Sequence, residues 1–164
     1  MRTLMQFQGD PAEPAWVAVN DGVMGGLSRG GAEIVDGELR FSGILSLANS
    51  GGFSSVRARG VRFDLAQVRQ VVLRVRGDGR DYQLRLATDA NLDGKPVSYA
   101  ATFATRAGDW QIVHVRLDAL RPSVRGTPLS GPPLDASSVR EIGLLIADRR
   151  DGPFCLAVDW IAVE

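Results

Sequence analysis

One cysteine, one histidine and one lysine stand among 164 residues, and each scarcity removes a class of chemistry. Cys155 alone permits no internal disulfide and no cysteine zinc cluster. His114 alone rules out a histidine-based metal centre and leaves a Ser-His-Asp triad with a single candidate base. That residue falls mid-strand, in phase with Trp110 and Ile112, whereas catalytic groups favour loops and strand ends. A partly buried structural histidine is expected. No apolar run approaches the ~18 residues of a membrane helix. The amino-terminal stretch Met1 to Asp10 lacks the apolar core of a signal peptide. Nineteen basic residues balance nineteen acidic ones, so no net positive field exists to gather nucleic acid or an anionic membrane. A soluble, cytoplasmic protein without nucleic-acid partner or membrane insertion is expected.

Long helices are scarce too, because nineteen glycines and eight prolines are spread along the chain. Alternation dominates instead. Val71, Leu73 and Val75 share one face and Arg74 and Arg76 the other. After Gly77-Asp78-Gly79, Tyr82, Leu84 and Leu86 alternate with Gln83 and Arg85, which predicts a β-hairpin with Arg74 and Arg85 exposed. Further strands are predicted at 99–103, 110–117, 142–146 (buried on both faces) and 154–160, the last with Phe154, Leu156, Val158 and Trp160 on one side. Glu38 to Leu47 reads as one or two strands broken at Gly43. Single helical turns are expected at Asp64 to Arg69, capped by Asp64, and at Leu134 to Val139. Arg121 to Pro133, with four prolines, reads as an ordered surface loop. Many short strands between turn signals predict one all-β domain over 1–164, an antiparallel sandwich.

Between the strands lie polar, glycine-rich segments: Asn20 to Ser28, Asn49 to Arg57, Arg76 to Tyr82 and Ala147 to Phe154. Glycine permits positive φ or close approach, and the flanking Asn, Asp, Ser and Arg supply hydrogen-bonding groups. None combines a nucleophile, a base and an orienting group. Asn20 to Ser28 has neither the spacing of a phosphate loop nor a following helix, so no nucleotide cofactor is expected. It is either a structural cap or a recognition surface. Asp89, Asn91, Asp93 and Gly94 match the opening of a calcium loop, but Ala100 stands where a bidentate Glu is needed. A solvated hairpin tip is the simpler reading, with calcium a minor alternative. Asp148 to Gly152 reads as a solvated charged turn. Arg76-Gly77-Asp78 matches an adhesion tripeptide by chance. Cys155 reads as a small residue of a strand.

Four stretches, in order along the chain, resemble the complex I intermediate-associated protein family. They are Trp16 to Ser28, Gly43 to Arg57, Leu73 to Tyr82 and Gly143 to Ile161. The resemblance implies a galactose-binding-like jelly roll and a non-catalytic, protein-associating role in assembling respiratory NADH:ubiquinone oxidoreductase. No cofactor and no catalytic residue come with it. A protein partner, in particular a respiratory-complex assembly intermediate, is therefore expected. The binding candidates are Asn20, Asp21, Met24, Ser28, Asn49, Phe53, Ser55, Arg57, Arg76, Asp78, Arg80 and Tyr82, since arginines and aromatics anchor such surfaces. Four of these sites, Asn20-Asp21, Asn49, Arg57 and the Arg76 to Arg80 turn, are expected to meet in space and join the N-terminal segment to the sandwich, with Arg–carboxylate pairs beneath the loops. Carbohydrate binding is the alternative, with Trp16, Trp110, Trp160, Tyr82 and Tyr99 as platform candidates. An enzyme remains open only through a pair of facing carboxylates.

Overall fold

Strand residues with an apolar side chain at every second position need something to cover that side, and here two sheets cover each other. The computed structural model describes residues 1–8 and 15–164. Among these residues thirteen strands run in order: β1 (Arg2–Gln6), β2 (Trp16–Asn20), β3 (Arg29–Val35), β4 (Glu38–Leu45), β5 (Ser54–Phe63), β6 (Gln70–Arg76), β7 (Asp81–Leu92), β8 (Lys95–Ala104), β9 (Trp110–Arg116), β10 (Arg121–Val124), β11 (Thr127–Pro128), β12 (Val139–Ile146) and β13 (Gly152–Val163). Strand pairing is antiparallel throughout. One sheet has six strands in the order β3-β4-β13-β6-β9, with β1 also paired to β13. The other has seven, β11-β10-β8-β7-β12-β5-β2. This is the jelly-roll sandwich. Its core lies between Leu39, Phe41, Leu73 and Leu156 on one side and Val56, Tyr82, Leu84 and Leu144 on the other, all fully buried. Among the described residues no helix is long and apolar enough to cross a membrane.

Several local expectations change. β6 and β7 do not form a hairpin: β6 pairs with β13 and β9, and β7 with β8 and β12. Residues 77–80 carry the chain from one sheet to the other. Arg85, expected to be exposed, is only 7% exposed because Glu141 on the adjacent strand takes its guanidinium. β4 runs unbroken through Gly43, held between β3 and β13. Asp64 caps no helix; its carboxylate accepts from the Ala66 N–H in a plain turn. The turn at 136–138 is helical as expected, with Asp135 as its cap. The 121–133 loop contains the short hairpin of β10 and β11. In β13 the register shifts between Val158 and Trp160. Ile161 and Val163 therefore take the core positions, and Trp160 turns outward to lie half-buried opposite Arg74. His114 is exposed, with Nδ1 3.7 Å from a Glu164 carboxylate oxygen. Asp93 and Gly94 sit at φ 52° and 78° in a tight hairpin turn. Asp89 and Asn91 lie on β7 itself, so the segment is extended instead of wrapped around an ion.

Candidate functional site

The ends of β2, β4, β6, β8 and β12 and the starts of their antiparallel neighbours meet at one end of the sandwich. All four glycine-rich segments emerge there. Asp21 opens a one-turn 3-10 helix, Asp21–Met24, and its carboxylate turns inward and is fully buried. Its Oδ1 accepts from the Ser28 N–H at 2.9 Å. Its Oδ2 accepts from Ser28 Oγ–H at 2.6 Å, Gly52 N–H at 2.7 Å and Phe53 N–H at 3.3 Å. Burial works to raise the Asp21 pKa, but the Ser28 hydroxyl and the three N–H groups outweigh it and hold it below the ordinary value. Gly26 and Gly51 make the arrangement feasible. A Cβ on Gly26 would collide with the carboxylate, and one on Gly51 would come within 2.5 Å of Oδ2. Ser28 extends the tie, its Oγ accepting from Ser46 N–H at 2.9 Å. Asn20 donates to the Gly30 carbonyl at 3.0 Å and accepts from Ser54 Oγ–H at 2.5 Å.

A second buried centre holds the other two loops. Arg80 donates Nε and Nη2 to the two Asp148 carboxylate oxygens at 2.8 and 2.6 Å. It also donates to the carbonyls of Gly152 and Pro153 at 3.0 and 2.9 Å, and to that of Arg150. The two side chains are 7% and 8% exposed. Bonding to Arg80 holds the Asp148 pKa down, and bonding to Asp148 holds that of Arg80 up. Asp78 accepts from the buried Tyr82 hydroxyl at 3.0 Å and from the Cys155 N–H at 2.8 Å. Burial, then the Asp78 charge, pushes the Tyr82 pKa far up. Asp151 joins the two centres by accepting from Leu47 N–H at 2.7 Å.

The expected single cluster is therefore two centres. Among the described residues no arginine pairs with Asp21; backbone N–H groups and Ser28 satisfy it. Arg57 lies away from both, on the outer face of the seven-stranded sheet, with Nε on Ser55 Oγ at 3.2 Å. Arg76 points off the outer face of the other sheet, 3.3 Å from Glu38 and 4.6 Å from the Trp110 ring centroid. Asn49 is exposed at φ 56° and Phe53 is half-buried. Ser55 is buried, donating to the Val19 carbonyl at 2.6 Å. Met24 is 56% exposed. Two residues escaped the sequence reading. Asp148 was expected to be solvated, although it stands only two positions beyond buried Ile146. Glu141 is the one carboxylate in a strand whose remaining residues are apolar apart from Arg140, and it binds Arg59 and Arg85 at 3.0 Å each. Among the described residues no group of three or more His, Cys, Asp or Glu is placed to hold a metal.

The family model described as Complex I intermediate-associated protein 30 (CIA30) matches residues 5–158, and so covers both loop centres. The chain belongs to that family. Complex I intermediate-associated protein 30, mitochondrial, of Mus musculus is 28% identical over 187 residues, covering 99% of this chain and 56% of that protein. The Drosophila melanogaster protein of the same name is 25% identical over 126 residues, covering 69% of this chain and 43% of that protein. The chain thus spans about half the length of these relatives. Both are named as mitochondrial, which overturns the cytoplasmic expectation. Among solved structures, the family 11 carbohydrate-binding module of the Clostridium thermocellum cellulase Lic26A-Cel5E superposes with a TM-score of 0.73 at 14% identity. The match covers 99% of this chain and 92% of that one. A family 30 carbohydrate-binding module superposes with a TM-score of 0.56 at 17% identity, over 84% and 91%. At these identities the CIA30 chain shares a fold with the modules.

Proposed function

We propose that this chain is a non-catalytic, partner-binding domain of a complex I assembly factor, acting as one unit over 1–164. Family membership supports the assembly role. The observation that carries the binding mode is what the Asp21 centre leaves outside. With its carboxylate buried and bonded, the loops of 21–28 and 45–53 are fixed, yet Val23, Leu27, Met24 and Leu47 remain 78%, 59%, 56% and 38% exposed. Large apolar side chains held rigidly in water mark a surface for a protein partner. In this reading Met24 contacts the partner. Asn20, Asp21, Ser28 and Phe53 hold the contact loops in shape, while Asp78, Arg80 and Tyr82 brace the loops beside them. The carbohydrate alternative fares worse on its own requirement. Tyr82 and Tyr99 are buried, Trp16 packs against Phe7, and Arg74 and Arg76 cover Trp110 at 4.4 and 4.6 Å.

The test is a Met24→Asp/Leu27→Asp double variant, expressed in cells lacking their own copy of the protein. The variant should keep its melting temperature, since neither side chain is in the core. It should lose co-purification of NADH:ubiquinone oxidoreductase subunits, and native gels should show less assembled complex. Full capture and full assembly by a folded variant would end this reading.

A further inference from the structure

On the outer face of the seven-stranded sheet, one row of paired positions reads Arg57, Gly143, Arg85, Ala100 and Arg121 across β5, β12, β7, β8 and β10. The next row places Arg59 beside Glu141. Glu141 already holds two arginines. Its Oε1 accepts from Arg59 and its Oε2 from Arg85, each at 3.0 Å. Arg57 receives nothing comparable. Its Nε donates to Ser55 Oγ, and no carboxylate pairs with it among the described residues. Burial first, and then the Arg85 charge, push its pKa down to about 10, against a partial offset from the Glu141 charge. A half-buried guanidinium beside another cation, with no partner on its terminal nitrogens among the described residues, is a poor structural device and a good anion receptor. The floor suits an incoming chain as well. Gly143 and Ala100 present little side chain, and a Cβ on Gly143 would come within 3.3 Å of the Arg57 stem and 2.8 Å of the Val56 carbonyl. No aromatic stands among the described residues of this row or its two flanking rows, so the face lacks a stacking platform for sugar rings.

We propose that this face is a second binding site, separate from the loop surface, that takes an extended acidic peptide segment of a protein partner. Arg57 grips one carboxylate through its two terminal nitrogens, and Arg121 at the far end of the row, exposed and with Nη1 on the Asp118 and Leu120 carbonyls, offers its remaining N–H groups to another. Four interstrand steps of ~4.8 Å separate the two arginines, roughly 19 Å in all. An extended chain rising ~3.3 Å per residue covers that in about six residues. A free carboxylate or phosphate could engage Arg57 alone but not both ends. The row carries three arginines and no carboxylate of its own; Glu141 in the next row is shared by Arg59 and Arg85, and the charge of Asp118 acts on Arg121, so it is the charge left at Arg57 that selects an acidic occupant.

The experiment titrates the full chain with an octaglutamate peptide at low ionic strength, beside acetate, inorganic phosphate and a neutral octaglutamine peptide. Octaglutamate should bind and move the amide resonances of β5, β7 and β12. Arg57→Gln should weaken it about tenfold or more, the loss of charge-assisted hydrogen bonds. Arg57→Lys keeps the charge but not the fork and should fall between the two. Arg29→Gln, on the other sheet, and the Met24→Asp/Leu27→Asp loop variant should bind octaglutamate like the parent, which separates this site from the one proposed above. If octaglutamate fails to bind, or Arg57→Gln binds it equally well, the site does not exist. If phosphate binds as tightly as octaglutamate, the site takes a free anion and the peptide assignment falls.

Discussion

At the scale of single residues, the difference between Asp21 and Asn49 shows what a polar residue in a glycine-rich loop can be for. Both follow the same local grammar of Asn, Asp, Ser and Gly. Asp21 is fully buried with its oxygens filled by Ser28, Gly52 and Phe53, whereas Asn49 is exposed in the left-handed region. Asp21→Asn would aim an NH2 group at N–H donors that now have an acceptor. Leaving such a buried donor unmet costs about 1–3 kcal/mol. For a chain of this size, 2 kcal/mol lowers the melting temperature by roughly 4–8 °C. Thermal unfolding of Asp21→Asn should show a drop of that order. Asn49→Gly suits the same positive φ and removes no bond, so its melting temperature should match the parent. Equal stability of the two variants would mean that the Asp21 centre does not hold the loops.

At the scale of elements, the crossing from β6 to β7 is where local pattern and tertiary structure part. Alternation correctly put Val71, Leu73 and Val75 inside, together with Tyr82, Leu84 and Leu86. It could not say that these two sets face each other from different sheets, because strand period reports the buried side and not the pairing partner. Gly77-Asp78-Gly79 reads equally well as a hairpin turn and as a crossing. The same limit hid the site. The glycine-rich loops were legible as a group, and they do share one end of the sandwich. Which side chains meet there was not legible, since Arg80 finds Asp148 across 68 residues and Asp21 finds Gly52 across 31. Arg57 fell outside because its outward position on β5 follows from register. Arg80 is what fixes the crossing to the 148–153 loop. Removing one member of a buried pair costs about 3–5 kcal/mol, since the partner stays buried and charged. Arg80→Gln should therefore destabilise severely, by that order in urea unfolding. Asp148→Asn added to it should restore part of the loss, with a coupling of about 0.5–3 kcal/mol in the double-mutant cycle. Strictly additive losses would show that the pair is not coupled.

At the scale of the whole molecule, the buried carboxylates give the fold a direction of pH sensitivity. Asp21, Asp148 and Glu141 sit in different parts of the sandwich: the loop lock, the crossing and the outer face of the seven-stranded sheet. In all three the folded pKa lies below the ordinary value. For Asp148 the leading cause is the bond from Arg80. For Asp21 and Glu141 burial pulls the other way and is outweighed, by Ser28 and backbone N–H groups in one case and by Arg85 and Arg59 in the other. A depressed carboxyl binds its proton less readily folded than unfolded. It adds stability at pH values above the unfolded pKa, about 3.9 for Asp and 4.3 for Glu, and that stability is lost as pH falls through the folded value. Three such groups with the same sign add, because they share no bonds and lie on separate elements. The melting temperature should therefore show little carboxylate-driven change between pH 8 and roughly pH 5, then fall steeply below about pH 4. The origin of the fall can be assigned by subtraction. Asp21→Asn carries no titrating group at that position, so its melting temperature should start lower at pH 7 and decline less on acidification, narrowing the gap to the parent as pH drops. A gap that stays constant from pH 7 to pH 3 would mean that Asp21 titrates alike in the folded and unfolded chains. The hydrogen bonds of the loop lock would then contribute nothing to the fold's response to acid.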